Sequence, residues 1–367
     1  MTFAPQPDVQ VIVPARNEQD CIATCLESML RQQGIGFQIT VVDDDSTDRT
    51  RAIAESFRGV RVINSGQPVA GATGKCNALV SGARDASAEW LLFTDADTFH
   101  DSGSLAAAVK EAQDRGVDLL SYSPEQDAAT WSEQALMPVV FAELARTYPP
   151  SRVNDPADPA VAANGQYILV RRKVYETLGG HGAVVNKVLE DVELARLFKS
   201  AGRKIWFRHG AGLVRTRMYR NFSAMIEGWT KNLALLFHRP VRLAAIRGLE
   251  FILITGSWCV GTAMISRAHY GLGIVCLLAG LLVYVNFVTR ILVAHFPWKA
   301  NLVALLGLPF FSFLLLRSWV HSHLRRAVTW KGRTYIHSEP HNGMDSSIQK
   351  GNLAETVKLH GLSHKKS

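Results

Sequence analysis

The chain has 367 residues, enough to bury one large core of roughly 230 residues and leave a second region outside it. Its 40 Lys and Arg exceed its 32 Asp and Glu, for a formal net charge of +8, but no nucleic-acid motif or interleaving of aromatics accompanies the excess, which argues against a nucleic-acid partner. The five cysteines, at positions 21, 25, 76, 259 and 276, are odd in number and form no Cys-x-x-Cys pair, which excludes a disulfide framework and predicts reduced thiols.

The segment Met1 to Asp8 has no apolar run, so no signal peptide is expected and the region after it is expected on the cytoplasmic side. Val9 to Pro14 predicts a strand running into the polar loop Ala15-Arg16-Asn17-Glu18, followed by a helix from Asp20 to Gln33. A second strand, Ile39 to Asp43, ends in acids. Asp45-Ser46-Thr47-Asp48 is rich in capping residues, so Asp44 could serve merely a turn or the helix predicted from Asp48 to Phe57. A third strand is predicted at Val60 to Asn64. Gly74-Lys75 invites comparison with a P-loop, but Val69 stands where that loop needs glycine and Cys76 where it needs Ser or Thr. Lys75 instead begins a helix reaching Ala86, where its ammonium and the helix N-terminus could both face a diphosphate.

The strand Trp90 to Thr94 ends in Asp95 and Asp97. Alternate residues of an extended segment point to one side, so these carboxylates can share a divalent cation with positions left for phosphate oxygens. Turn chemistry is the competing reading of such a tripeptide. A helix from Ser102 to Arg115 and a strand from Asp118 to Ser123 continue the alternation. It predicts an α/β fold, a mostly parallel sheet with helices on both faces and ligands beyond the carboxyl ends of the strands, where the acidic motifs fall. Tyr148 to Pro159, with prolines at 149, 150, 156 and 159, predicts an irregular wall or flexible lid. Asn164-Gly165-Gln166, Gly179-Gly180-His181-Gly182 and Leu189-Glu190-Asp191-Val192-Glu193-Leu194 follow, the last at the start of a helix from Val188 to Ser200, where acids also suit the helix dipole.

In this order, the motifs from roughly Val9 to Arg247 resemble the inverting family 2 glycosyltransferases of the GT-A fold, the nucleotide-diphospho-sugar transferase architecture. The tail ending in Thr329-Trp330-Lys331-Gly332-Arg333-Thr334-Tyr335 resembles the branch that glycosylates membrane lipids, such as ceramide, carotenoid acid and hopanoid glucosyltransferases. The resemblance implies a UDP-sugar donor whose base, ribose and diphosphate meet Pro14, Ala15, Glu18, Asp43, Asp44, Lys75 and Asp95, with Asp44 accepting the uracil imide hydrogen. It also implies Mg or Mn on Asp95 and Asp97. An attacking hydroxyl must lose its proton on the face opposite the leaving nucleotide. The resemblance assigns that base to Asp191, steadied by Glu190, and sets Gly165, Gln166, His181 and Trp229 on the acceptor side. One departure stands out: where many members carry Gln or Arg, two residues, then Arg-Trp, this chain reads Met225-Ile226-Glu227-Gly228-Trp229. The missing arginine puts processive polymer synthesis in doubt. A polysaccharide or polyprenyl-phosphate sugar synthase and a non-catalytic nucleotide-sugar sensor stay open as alternatives.

Composition changes near Gly248. The apolar stretches Gly248 to Ile265, Gly271 to Thr289 and Asn301 to Leu316 follow, with Glu250, Arg267, Arg290 and Lys299 as the remaining charges. The first two approach the roughly 20 residues that span a bilayer; the third is shorter and interrupted by Gly307 and Pro309. Arg171 to Arg247 holds 16 Lys and Arg against 5 Asp and Glu, a basic collar expected on the cytoplasmic side of an inner or plasma membrane. A helix from Asn221 to Phe237 carries Phe222, Met225, Ile226, Trp229 and Leu233 on one side and is expected to lie at the membrane surface. The expected division is a catalytic domain over 1–220, an interfacial helix over 221–247, a multi-pass membrane region over 248–320 and a basic tail over 321–367. The third apolar stretch is expected to be re-entrant or interfacial, which would return Lys331 and Arg333 to the catalytic face, and the polar stretch after Ser338 is expected to be disordered. His321-x-His323 has metal-like spacing but no carboxylate partner, so no metal is expected there.

Overall fold

The computed structural model describes residues 7–67, 72–219, 221–325, 327–330 and 333–336. Its framework is a seven-stranded sheet. β1 (Val9–Ala15), β2 (Phe37–Asp43), β3 (Val60–Asn64) and β4 (Trp90–Phe93) pair in parallel in the order β3-β2-β1-β4. Every residue of β1 is buried. Val9, Val11 and Val13 pack into one core and Ile12 into another on the opposite face, as period-two alternation requires of a strand covered on both sides. β4 does the same, with Trp90 and Leu92 on one face and Leu91 and Phe93 on the other.

The helices α1 (Ile22–Leu30), α2 (Thr50–Glu55) and α3 (Gly74–Ala83) join these strands. α3 packs hard on the sheet: a Cβ on Gly82 would lie 2.5 Å from Ile12 Cγ2 and 2.9 Å from Val42 Cγ2. After β5 (Thr98–His100) and α4 (Ser104–Arg115), the chain forms β6 (Leu119–Ser123), β7 (Glu125–Gln126), α5 (Trp131–Thr147) and the short α6 (Pro150–Val153). It then returns as β8 (Ile168–Arg171), which inserts antiparallel between β4 and β6. α7 (Arg172–Thr177) and α8 (Glu190–Ser200) precede β9 (Ile205–His209), parallel to β6 at the sheet edge, and β10 (Val214–Thr216) joins β5 and β7 in a small second sheet. The sheet is therefore mostly parallel, as expected, with one reversed strand.

α9 (Phe222–Leu236) starts at Asn221, whose side chain accepts the Ala224 N–H at 2.8 Å. Most of its apolar face is covered by protein. Met225, Trp229 and Leu233 are buried in a third core with residues of α5 and of the later helices, while Phe222 is 50% exposed. α10 (Pro240–Ser266) and α11 (Tyr270–Ile291) form an antiparallel hairpin, and a third apolar run, Trp298–His323, comprises α12 (Trp298–Val303), a tight turn and α13 (Gly307–Val320). All three are long and apolar enough to cross a membrane, but half of the third is buried against the protein, compared with 22% and 17% for the first two. A hairpin of β11 (Ala327–Trp330) and β12 (Arg333–Ile336) follows, β11 lying against α9. Lys331 and the stretch after Ser338 lie outside the described residues.

One buried ion cluster fastens the helical hairpin to the α/β part. Arg247 Nε lies 3.1 Å and Arg290 Nε 3.2 Å from Glu143 Oε1 on α5, while Arg247 Nη1 and Arg290 Nη2 each lie 2.6 Å from Glu250 Oε2. Two of these are charges that the sequence leaves inside its apolar region. They remain there as partners.

Candidate active site

The antiparallel return of β8 assembles the site. Phe93 at the end of β4 pairs with Ile168 at the start of β8, so Asp95-Ala96-Asp97 leaving one strand meets Asn164-Gly165-Gln166 entering the other. The Thr94 hydroxyl donates to the Gln166 carbonyl at 2.8 Å, and the Thr216 hydroxyl donates to the Asp97 carbonyl at 3.1 Å. Both loops are thereby held at one end of the sheet.

Two helix starts bring in the remaining charges. α8 begins with Glu190 and Asp191, and α3, capped by the Thr73 hydroxyl on Cys76 N–H, begins with Gly74 and Lys75. Asp191 Oδ2 accepts the Gly165 N–H at 2.9 Å and its Oδ1 accepts the Val192 N–H at 2.8 Å. Lys75 Nζ stands 2.7 Å from Asp95 Oδ1 and 3.1 Å from Glu190 Oε1. Gly165 leaves room for this: a Cβ there would lie 3.0 Å from Lys75 Nζ and 3.5 Å from Asp191 Oδ2.

The two adjacent carboxylates are driven apart in acidity. Burial, then the charge of Glu190, pushes Asp191 up to about 6. Glu190 moves down; burial opposes the shift, but the charges of Lys75 and Lys231 outweigh it. Paired carboxyls separated in this way suit division of labour between a proton acceptor near neutral pH and a fixed negative charge. Among the described residues no group of three or more His, Cys, Asp or Glu converges on a cation cage. The donor set at Asp95 and Asp97 is thus two half-buried carboxylates, which fits Mg²⁺ or Mn²⁺, ions commonly held by one or two carboxylates plus substrate phosphates.

The nucleotide-side residues lie at the ends of β1 and β2. Pro14 and Ala15 are buried in β1, and the Ala15 carbonyl accepts the Asp44 N–H at 2.8 Å. Asp44, itself buried, accepts the Ser65 hydroxyl at 3.1 Å, and Arg16 Nη1 lies 3.9 Å from its other oxygen. Asp43 accepts the Ser46 N–H at 3.3 Å; the Glu18 N–H donates to Thr50 Oγ1 at 2.7 Å. Asn17 and Asp45 both adopt left-handed backbone, at φ 54° each, and the loops cross-link through Asn17 N–H to Ser46 Oγ and Thr47 N–H to Asn17 Oδ1. Asn and Asp tolerate that conformation better than most residues.

Three acceptor-side expectations are revised by burial. His181 is 1% exposed, stacks edge-on against Phe93 and pairs its Nδ1 with the Tyr175 hydroxyl at 3.0 Å; it supports the floor of the site instead of lining it. Trp229 is 3% exposed between Tyr219 and Phe141, so its rings have no free face for an acceptor. Gln166 is buried, its side-chain amide donating to Thr216 Oγ1 at 3.3 Å, which makes it a brace between the loops. His321 and His323 turn Nδ1 to the Arg317 and Trp319 carbonyls. The buried thiols of Cys25 and Cys76 are both pushed up by desolvation, Cys76 to about 12, so they stay protonated.

Sequence reading missed Lys231. It interacts electrostatically with Glu190, Lys75, Asp191 and Asp95, two residues beyond Trp229. At about 100° per residue, that offset turns it to the side of α9 opposite the buried indole. A cation following the tryptophan was the available signal, hidden because the expected arginine precedes it.

Residues 10–179 match the family Glycosyl transferase family 2. The chain is 28% identical over 352 residues to 4,4'-diaponeurosporenoate glycosyltransferase of Staphylococcus aureus strain MRSA252, covering 89% of this chain and 87% of that one. Among solved structures, it is similar to the mannosyltransferase PcManGT from Pyrobaculum calidifontis in complex with GDP-Man and Mn2+ (18% identity, TM-score 0.49, 88% of each chain). It is also similar to S. aureus TarS 1-349 in complex with UDP-GlcNAc (15% identity, TM-score 0.41, 91% of this chain and 98% of that one). The fold is the expected mostly parallel α/β sheet, with three apolar helices long enough to cross a membrane appended.

Proposed function

We propose that this chain, whose residues 10–179 match Glycosyl transferase family 2, is a glycosyltransferase that moves one sugar from a nucleotide-diphosphate donor, a UDP-sugar, to the hydroxyl or carboxyl of a membrane lipid with inversion. The observation that carries this reading is the convergence of Asp191 with Gly165, Lys75, Asp95 and Glu190 at one end of the sheet. Asp191 takes the proton of the attacking acceptor from a position fixed by two backbone N–H groups, and its raised pKa suits it to that task. Glu190 holds Lys75 in place. Asp95 and Asp97 would hold a divalent metal, whose charge would neutralise the departing diphosphate. Lys75 can release Asp95 and meet the diphosphate instead, because its flexible stem ends between the two acids. Asp43, Asp44, Glu18, Pro14 and Ala15 form the nucleoside end.

A lipid acceptor is supported by the three apolar helices and by the relative named for a carotenoid acid. The proposed orientation puts residues 1–220 in the cytoplasm, with a membrane region over 248–320. Membranes incubated with a panel of radiolabelled nucleotide sugars should transfer label into extracted lipid, and a chelator should abolish the transfer. Donor binding with neither transfer nor hydrolysis, in the presence of Mn²⁺, would instead support a sensor.

A further inference from the structure

A cavity of about 660 Å³ lies between the α/β part and the connector from α11 to α12. Phe141, Leu144, Val161, Leu236, Val293 and Phe296 give it an apolar belt. One end is formed by Asn164 and Val192, each one residue from the Gly165–Asp191 hydrogen bond. The other reaches Val293 and Ala294, adjoining Leu292 and the outer face of α11, where Leu278, Leu282 and Val285 are 58%, 73% and 49% exposed. The rings of His209 and His295 stack at 4.9 Å across this end, joining the sheet edge to the connector, and His295 is held in left-handed backbone at φ 58°. The Tyr148 hydroxyl donates to the Leu236 carbonyl at 2.5 Å, so the proline-rich segment forms a tethered wall.

Resting on the lipid-acceptor reading above, we propose that this cavity receives one apolar chain of the acceptor, drawn from the bilayer beside α11, and so delivers the acceptor's polar end to Asp191. The volume suits one chain: ligand pockets run roughly 300–1,000 Å³, and at roughly 30 Å³ per water-sized group this one holds on the order of twenty carbon-sized groups. Continuity decides between a lipid and a soluble ligand. Its lining runs from Val293, 46% exposed beside α11, to Asn164 and Val192 beside the proposed base, the two places a membrane acceptor must reach together.

The test uses the full chain in detergent with hexadecanol carrying a diazirine, photolysed and mapped by peptide mass spectrometry, alongside calorimetric UDP binding with Mn²⁺. Adducts are expected in 141–150 and 292–297, displaced by unlabelled hexadecanol. Ala145→Trp and Ala294→Trp, which fill the cavity, should lower these adducts at least tenfold while UDP affinity stays within twofold. Adducts confined to the outer faces of α10 and α11 in the unsubstituted protein would overturn the proposal, as would undiminished cavity labelling in both tryptophan variants. If a variant fails to fold, the map of the unsubstituted protein decides by itself. Failure of the glycosyltransfer reading registers separately, as absence of UDP binding in the unsubstituted protein.

Discussion

At Asp191, a half-buried carboxylate beside a second one must carry a proton more readily than an exposed acid. The proposed base is therefore poised near neutrality, while Lys75 and Lys231 keep Glu190 charged. Below its pKa the base is protonated and cannot accept the acceptor's proton, so transfer should rise with pH through about 6. Asp191→Asn keeps an oxygen for the Gly165 N–H but removes the proton acceptor. It should lower transfer roughly 10²- to 10⁴-fold with UDP affinity changed no more than a few-fold; retained transfer would remove the assignment. Asp97→Ala leaves a single carboxylate for the metal and should abolish Mn²⁺-dependent donor binding. Unchanged donor affinity in calorimetry would move the metal elsewhere. These carboxylates were legible in sequence because they stand in a fixed order of motifs, although each alone also suits a turn or a helix start. The burial of His181 and Trp229 was not legible, since it depends on Phe93, Tyr175, Tyr219 and Phe141 closing around them.

The strands β1 to β4 and β6 were readable as apolar runs ending in polar loops. β8 was missed because Ile168–Arg171 is only four residues long and follows the site motif directly, although it brings the two halves of the site together. α5 escaped for a different reason. Residues from Ser132 to Glu143 are buried around most of the helix, so it shows no amphipathic period, and it carries Pro138 in its interior. Only its start was written plainly, in the Thr130 to Glu133 capping box. At this scale Gly82 is a sharp constraint, because α3 must approach the sheet closely to carry Lys75 to Asp95. Gly82→Val would meet Ile12 and Val42 and should cost about 1–3 kcal/mol, measured as a lowered denaturant midpoint. Full stability in that variant would mean that α3 can withdraw from the sheet freely.

For the molecule as a whole, a catalytic sheet must be coupled to an apolar helical hairpin. Glu143, Arg247, Glu250 and Arg290 do so with a balanced set of two acids and two bases spanning α5, α10 and α11. Removing one member leaves buried charge unpaired, at a typical cost of about 3–5 kcal/mol. Glu250→Ala should therefore lower the thermal midpoint in detergent markedly, and an unchanged midpoint would make the cluster incidental. The same coupling bears on topology. The start of α13 touches α5, where a Cβ on Gly307 would meet the Ala135 carbonyl, and its end touches α9, where Arg317 Nε donates to Thr230 Oγ1 at 3.1 Å and Ser318 Oγ accepts the Ala234 N–H at 2.8 Å. We propose that this helix, anchored at both ends to elements packed with the catalytic part, does not cross the bilayer, and that its apolar outer side, including Phe313 at 52% exposure, meets lipid from the same side. This reading predicts that α10 and α11 cross as a pair and the third run does not. With the native cysteines replaced, Ala268→Cys at the turn between α10 and α11 should react with an impermeant thiol reagent on intact cells, whereas His323→Cys should react only after lysis. Labelling at 323 from outside would establish a third crossing and take the β11–β12 hairpin away from the side proposed for Asp191.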